Sequence, residues 1–570
     1  MKELLARLLA QPGIAAELVV ASLFISILAL ASPLFVMQVL NRYVAQGVDA
    51  TLVTLVTGVL IAIILEFVFR QTRMSLARGV CVTPDEKLSI NGFAILTKAK
   101  ASALDQIPPE TRREMVNGAN AIETAYNANN LTTILDVPFA LLFVGVLYLL
   151  EPLIALIVVG FLVAVFVSGV YGGISMRDKT AEMQNATGTG SSLLGTATRE
   201  QDTVRCFNAG GRLRQAWQEH IFHIQGLRRD ITQRQGLIQS ITQSSNGLMS
   251  VVVISVGATL VVLGKLDVGA MIGANILAAR ALQPVSKFSQ LGAAFAKARE
   301  ALKLFEQLCT VPLEPDSGSA IAAYKGGIEF RDLAFAFPGS TTPLFESLSL
   351  KLEPGTVLVV TGDNGTGKTT LARLLMGLLE PSRGKILVDG LDLQQVAPEW
   401  WRRQVIYLPQ EPALLNATIE ENLRVNNPEI DMSKLNTIIA AAGLRRFLDE
   451  SPQGFETQIS DNGWRLSEGT RRRMALARAL TTDGILAIID EPTESLDAEG
   501  CAAIHAILGK LVEGGRTVIV MSHHRDIVKG QHLVLDLNSK PTPEIAEVQG
   551  DKAPPLRSVA GAGAETEAGE

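Results

Sequence analysis

The stretch from Gly362 to Thr370, GDNGTGKTT, has residue types and a spacing suited to holding phosphate. It fits the pattern G-x-x-x-x-G-K-[ST], in which glycines let successive backbone N–H groups converge on an anion. We expect Lys368 to reach the β- and γ-phosphates of a nucleotide and Thr369 to ligate Mg²⁺. The residues predicted to contact nucleotide are Gly362, Asp363, Asn364, Gly365, Thr366, Gly367, Lys368, Thr369 and Thr370.

The flanking residues predict the elements that must position this loop. VLVVT at 357–361 is typical of a buried strand, and LARLLM at 371–376 continues as a helix. A strand, a glycine-rich loop and a helix N-terminus form the context that a phosphate loop requires, because the helix end adds positive potential.

Two consecutive carboxylates follow a second apolar run. ILAII at 485–489 predicts a buried strand that places Asp490 and Glu491 at its C-terminal end, where ligands bind in α/β sheets. We predict that Asp490 holds Mg²⁺ and that Glu491 is the base that polarises the attacking water.

The run from Leu466 to Leu480, LSEGTRRRMALARAL, resembles the LSGGQ signature of ATP-binding cassette (ABC) proteins. In that family the signature of one subunit covers the ATP held by its partner's phosphate loop. The resemblance thus implies ATP and Mg²⁺ as cofactors, an α/β P-loop NTPase domain, nucleotide contacts from Ser467 and Gly469, and a homodimer.

Four further positions match family elements. Phe337 resembles the aromatic that stacks on adenine, although alternation with Phe335 is also typical of a strand core. Gln410 resembles the glutamine that reaches Mg²⁺ and water, and Asp497 lies in a segment similar to the D-loop. His523 resembles the switch histidine that contacts the γ-phosphate, with His524 as the other candidate.

One signature residue departs from the family pattern. Glu468 replaces the first glycine, and Thr470 replaces the usual glutamine. A carboxylate at this helix N-terminus could repel the γ-phosphate and weaken ATP closure, or it could turn outward or favour the helix dipole. Because Glu491 and His523 are intact, we expect the cassette to hydrolyse ATP.

The apolar residues predict a membrane half. The chain has 570 residues, of which 48% are hydrophobic, and a mean hydropathy of +0.26. Apolar windows long enough to cross a bilayer lie before residue 300. They predict spans near 18–40, 51–69, 132–150, 153–174, 246–264 and 268–286, with helical extensions outside the membrane at 70–131 and 175–245.

Charge sets the expected orientation and excludes one partner class. Basic residues concentrate in the two long links, so we place these links, the cassette and both termini in the cytoplasm and the protein in the bacterial inner membrane. Glu66 and Arg280 are ionisable groups in or near spans, where such groups tend to face a wet cavity or a partner, or to lie near the interface. A net charge of −6 without a long basic tract argues against a nucleic-acid partner.

Composition predicts four regions. We expect a six-span membrane domain at 1–310, a Pro/Gly/Ser/Asp-rich linker at 311–325, an ATP-binding cassette at 326–540, and a disordered Pro/Ala/Gly/Glu-rich tail at 541–570. The isolated cysteines Cys81, Cys206, Cys309 and Cys501 indicate reduced thiols, not a disulfide framework.

This organisation resembles an ABC half-transporter of the exporter type. ASPLFVMQV at 31–39 and DVPF at 136–139 are similar to type I secretion ATPases, which export unfolded polypeptides with a periplasmic adaptor and an outer-membrane channel. Leu40-Asn41-Arg42 departs from that family's usual Tyr-Asp-Arg. Because the first span begins near residue 18, we expect no N-terminal protease domain. The alternatives are an exporter of lipid, glycolipid or a small molecule, and a membrane scaffold with poor turnover.

Overall fold

The computed structural model describes residues 2–45, 47, 49–319, 323–340, 342–525 and 527–548. The chain forms two compact units. One comprises residues 1–99 and 104–312, and the other comprises residues 100–103 and 313–570.

The described residues between 2 and 312 are mainly helical, as long apolar runs flanked by polar helix-forming segments require. The helices are α1 (Lys2–Ala10), α2 (Pro12–Leu28), α3 (Ala31–Gln38), α4 (Asp49–Lys98), α5 (Ala101–Leu104), α6 (Pro109–Asn117), α7 (Ala119–Ala125), α8 (Ala128–Asp136), α9 (Ala140–Leu150), α10 (Pro152–Arg199), α11 (Gln201–Cys206), α12 (Gly210–Val262), α13 (Val268–Ser289) and α14 (Gly292–Cys309).

Six helical stretches of the described chain are long and apolar enough to cross a membrane, which confirms the six predicted spans. They are Pro12–Val44, Asp49–Lys98, Ala128–Leu150, Pro152–Arg199, Gly210–Val262 and Val268–Cys309. Helices α4, α10 and α12 have 50, 48 and 53 residues. At about 1.5 Å per residue each exceeds the thickness of a bilayer core, about 30 Å, so the long links continue the spanning helices.

Two spans are interrupted where hydropathy predicted continuous helices. The first has a break at residues 29–30 and a π-helical segment at Val39–Val44. The third has a turn at residues 137–139, where Pro138 lacks an N–H group and cannot continue the hydrogen-bond ladder.

A buried ion pair joins the first three spans. Arg73 Nη1 of α4 lies 2.5 Å from Asp136 Oδ1 at the end of α8 and 3.1 Å from Ser22 Oγ of α2. Arg73 is 6% exposed. A buried charge is tolerated when it is paired and hydrogen-bonded, as this one is.

The second unit is an α/β domain. Its strands are β1 (Ile328–Phe335), β2 (Phe345–Leu352), β3 (Val357–Thr361), β4 (Arg383–Val388), β5 (Leu391–Asp392), β6 (Val405–Leu408), β7 (Leu486–Asp490), β8 (Thr517–Met521), β9 (His532–Asp536) and β10 (Glu544–Val548). Its helices are α15 (Lys368–Leu375), α16 (Pro398–Arg403), α17 (Ile419–Arg424), α18 (Met432–Ala441), α19 (Arg445–Glu450), α20 (Glu468–Leu480) and α21 (Ala498–Glu513).

The strands form two sheets in the described chain. An antiparallel sheet has the order β2-β1-β4-β5, and a mainly parallel sheet has the order β10-β9-β3-β8-β7-β6. Strands β3 and β7 flank β8 in parallel, so their C-terminal ends meet at one edge of the sheet. Apolar clusters pack on both faces of this sheet and hold its central strands in place.

The C-terminal end of the second unit differs from the sequence prediction. Residues 544–548, predicted to be disordered, form β10, which pairs antiparallel with β9 over Glu544↔Asp536 to Val548↔His532. The prediction is wrong there because Ile545 and Ala546 find apolar cover on the sheet, which composition alone did not show. Residues 549–570 lie outside the described residues.

Candidate nucleotide site

The phosphate loop lies between β3 and α15, as its sequence predicted. Gly367 has φ +111°, and a Cβ atom there would lie 2.6 Å from Leu344 Cδ2, so both backbone conformation and space require glycine. Lys368 is buried, and its Nζ donates to the carbonyl oxygens of Gly362 at 2.7 Å and Asp363 at 3.3 Å. The ammonium is therefore held inside the loop.

Three groups predicted to act at the phosphate end lie together. Glu491 Oε1 is 3.3 Å from Lys368 Nζ and 3.2 Å from His523 Nε2. His523 Nε2 also lies 3.1 Å from Asn364 Oδ1. Glu491 is 6% exposed and has φ +45°, a left-handed backbone that is uncommon outside glycine and often occurs at functional sites.

Asp490, Thr369 and Gln410 form a group suited to a hard cation. Asp490 is fully buried at the end of β7, and neither of its carboxylate oxygens accepts a hydrogen bond from the described residues. Thr369 Oγ1 donates to Gln410 Oε1 at 3.1 Å. Carboxylate, hydroxyl and amide oxygens are the ligands that Mg²⁺ prefers, and the unpartnered buried carboxylate fits a cation.

The environment of Asp490 changes its protonation. Burial raises the pKa of this carboxyl from its ordinary value of 3.8 to about 6, and the neighbouring Thr369 hydroxyl opposes the shift. A divalent cation would favour the ionised form, since its positive charge would offset the hydration that the buried carboxylate lacks.

The signature segment is built on the N-terminus of α20. Ser467 is the N-cap residue, and its Oγ accepts a hydrogen bond from the Thr470 N–H at 3.1 Å. Among the described hydrogen bonds, none joins Ser467 or Gly469 to the phosphate loop of the same chain. These two residues are available to a second chain.

Glu468, whose effect on ATP closure its sequence position left open, has a cationic partner in the same helix. Arg472 Nη2 lies 3.3 Å from Glu468 Oε1, one turn along α20, and 3.1 Å from Glu494 Oε2. Arg472 Nη1 donates to the backbone oxygen of Glu491 at 2.7 Å. The carboxylate of Glu468 therefore has a cationic partner, which reduces its repulsion of phosphate.

Phe337 and Asp497, two other residues predicted to contact nucleotide, lie at the surface of the second unit in different surroundings. The Phe337 side chain is 49% exposed and stands edge-on to buried Phe335, with 5.1 Å between ring centroids, so it is free to stack on a base. Asp497 is the N-cap residue of α21, and it accepts from the Gly500 N–H at 2.8 Å and from Arg473 Nη2 at 2.7 Å. The Gly500 N–H, with Arg473, lowers its pKa.

Sequence reasoning missed Arg472 and Glu494. The four-residue spacing of Glu468 and Arg472 on a helix was enough to predict that these two side chains pair. Glu494 had none, because its contact depends on how the turn after β7 folds back toward α20.

Comparison with known proteins identifies the family to which this chain belongs. The family model of the ABC transporter transmembrane region matches residues 16–285, and the family model described as ABC transporter matches residues 345–494. The fold resembles the solved structure of a bacterial Atm1-family ABC exporter with ATP bound, with a TM-score of 0.80, 20% identity, and coverage of 92% of this chain and 93% of that one. The chain belongs to the ABC transporter family and has the exporter fold, in which six spans are fused to an ATP-binding cassette.

Three similar proteins are toxin export or translocation ATP-binding proteins. The leukotoxin export ATP-binding protein LtxB of Aggregatibacter actinomycetemcomitans is 26% identical over 520 residues, covering 91% of this chain and 73% of its own length. The toxin RTX-I translocation ATP-binding protein of Actinobacillus pleuropneumoniae and the leukotoxin translocation ATP-binding protein LktB of Mannheimia haemolytica match with the same identity and coverage. This chain is an ATP-binding membrane protein and an ATPase that drives export, as the sequence predicted.

Proposed function

We propose that the protein exports an unfolded polypeptide across the bacterial inner membrane as the ATPase of a type I secretion system. Its partners would be a second identical chain, a periplasmic adaptor, an outer-membrane channel and the surrounding lipid. The observation that carries the proposal is the match to three toxin export or translocation proteins over 91% of the chain.

A polar face on the sixth span supports a polar cargo. Arg280, Gln283 and Lys287 recur at helical spacing on α13 and, with Gln290 just after this helix and Asn246 of α12, line one cavity. Arg280 follows the first residue of α13 by 12 positions, about 18 Å along the axis, well inside a bilayer. The side chains of Arg280 and Lys287 make no hydrogen bond or ion pair among the described residues.

An uncompensated cation facing lipid is costly, so this face belongs against water or cargo. The opposite face of α13 is buried and apolar, with Leu277, Ala281 and Val285 inside the bundle. None of the described residues lining the cavity is acidic. A wall of amides and cations suits a hydrated chain better than a lipid tail.

Chemistry at the cassette follows from its own residues. Lys368 and the loop N–H groups bind phosphate, Phe337 stacks on the base, and Glu491, next to His523, polarises the attacking water. Asp490, Thr369 and Gln410 would hold Mg²⁺, which when bound neutralises phosphate charge. Ser467 and Gly469 would complete the site of the second chain. The pairing of Arg472 with Glu468 argues against the scaffold alternative, which rested on the Glu468 substitution.

The test compares proteins in the medium of cells producing the wild type or Glu491→Gln, with expression and membrane insertion checked in both. Loss of one or a few polypeptides is expected and would name the cargo. An unchanged set of secreted proteins, with altered lipid or small-molecule export, would overturn the polypeptide proposal and favour the alternative.

A further inference from the structure

Glu494 lies next to the glutamine that faces the proposed Mg²⁺ site. Gln410 Nε2 donates to Glu494 Oε2 at 3.3 Å, while Gln410 Oε1 accepts from Thr369 Oγ1 at 3.1 Å. A carboxylate only accepts hydrogen bonds, so it requires the amide nitrogen on its own side. The amide oxygen is thereby turned toward Thr369.

Glu494 is itself held in place. Arg472 Nη2 lies 3.1 Å from Glu494 Oε2, and the Arg472 side chain is 5% exposed. The Glu494 N–H donates to the Glu491 carbonyl oxygen at 3.3 Å, which fixes the turn that follows β7. The carboxylate is therefore a constrained group, although half of its side chain is exposed.

The orientation matters because only one end of the amide can ligate a cation. Mg²⁺ binds oxygen, and it demands near-ideal geometry. If the amide rotated by half a turn, it would present N–H groups to the cation and its oxygen to the Glu494 carboxylate. Both contacts would be repulsive.

We propose that Glu494 is a positioning residue for Mg²⁺, which acts by holding the Gln410 amide oxygen toward Thr369. This inference rests on the nucleotide chemistry of the proposed function but not on the cargo. The turn after β7 thereby has a role in metal binding, and Arg472 supports this role by holding Glu494 in place.

The experiment measures Mn²⁺ binding by electron paramagnetic resonance on the full chain in detergent, with a non-hydrolysable ATP analogue. Glu494→Ala removes the acceptor, and Glu494→Gln keeps an oxygen that can accept from Gln410. Glu353→Ala is the control, since Glu353 is an exposed glutamate in the turn before β3, at the opposite end of this strand from the phosphate loop. We expect Mn²⁺ affinity to fall about tenfold or more in Glu494→Ala and to stay near the wild-type value in Glu494→Gln and Glu353→Ala.

Three results would overturn the inference. Equal losses in Glu494→Ala and Glu494→Gln would indicate direct ligation of the metal by the carboxylate. Unchanged Mn²⁺ affinity in Glu494→Ala would remove the positioning role. Equal weakening of metal-free analogue binding, measured in chelator, would indicate a general structural role. A transporter that binds Mn²⁺ as expected but secretes no polypeptide would contradict only the proposed cargo.

Discussion

At the scale of single residues, the phosphate end of the site is already assembled within one chain. Lys368, Glu491 and His523 lie within 3.3 Å of one another. These contacts occupy the groups that a γ-phosphate would engage, so nucleotide binding must exchange them for contacts to phosphate and water.

Glu491→Gln should lower ATP turnover by about a hundredfold or more while nucleotide binding persists. The amide keeps the shape of the side chain but cannot take a proton from water. Steady-state hydrolysis and analogue binding on purified chain measure the two effects. Retention of most of the wild-type rate would show that Glu491 is not the base, and Glu353→Ala should behave as wild type.

Metal affinity should depend on pH through Asp490, whose pKa burial raises to about 6. Mg²⁺ competes with the proton, so affinity should be constant well above pH 6 and fall about tenfold per unit well below it. The native state also holds this proton more tightly than the unfolded state does. Asp490 should therefore lower the stability of the metal-free fold as pH rises from about 4 to about 6.

Mn²⁺ titrations from pH 5 to pH 8 test this dependence. Asp490→Asn should bind weakly at every pH and show no such step. A pH-independent affinity in the wild type would contradict the prediction.

At the scale of elements, Arg472 connects α20 to the turn that follows β7. Arg472 of α20 contacts Glu468 in its own helix and both Glu494 and the Glu491 carbonyl after β7. The departure at Glu468 is thus accompanied by a compensating cation on the same helix face.

Arg472→Gln should destabilise the cassette by about 1–3 kcal/mol, because the Glu491 carbonyl and the carboxylates of Glu468 and Glu494 all lose a charged hydrogen-bond donor. Thermal unfolding followed by tryptophan fluorescence measures the change. Arg473→Gln is the matched control on the same helix, and because its pair with Asp497 is more exposed, its loss should destabilise the cassette less. Equal effects in the two variants would remove the special role of Arg472.

The two cations on the polar face of the sixth span lead to a separate prediction. Arg280→Ala combined with Lys287→Ala should reduce secretion, because the cavity wall loses both cations, while ATP hydrolysis by the separate cassette continues. Arg280→Lys combined with Lys287→Arg preserves charge and should retain secretion. Cargo in the medium and hydrolysis in membranes are the readouts, and undiminished secretion by the double alanine variant would contradict the role of this face.

At the scale of the whole molecule, the proposed nucleotide site needs a second chain to be complete. Ser467 and Gly469 contact no phosphate-loop residue of their own chain among the described hydrogen bonds. The apolar part of α4 is almost entirely uncovered within one chain, with Ala62 as its buried residue, so it requires lipid or a second copy around it.

A composite site predicts a cross-link between chains. In a chain with its native cysteines replaced, Asn364→Cys and Ser467→Cys should react with a short bifunctional reagent to give a covalent dimer when ATP is trapped by Glu491→Gln. Each single-cysteine variant is the control. A cross-linked product that migrates as one chain would show that the two segments meet within a monomer.

The amino-acid sequence by itself determined the six spans, the phosphate loop and the carboxylate pair, because each depends on local periodicity or on residues adjacent in the chain. Tertiary structure alone decided the breaks in spans one and three, strand β10, and the contacts of Glu468 and Glu494. Most of those features depend on which groups from distant segments meet, and the neighbours of a carboxylate set its energy. Arg472 stabilises the charge of Glu468, whereas burial raises the pKa of Asp490 despite the opposing Thr369 hydroxyl.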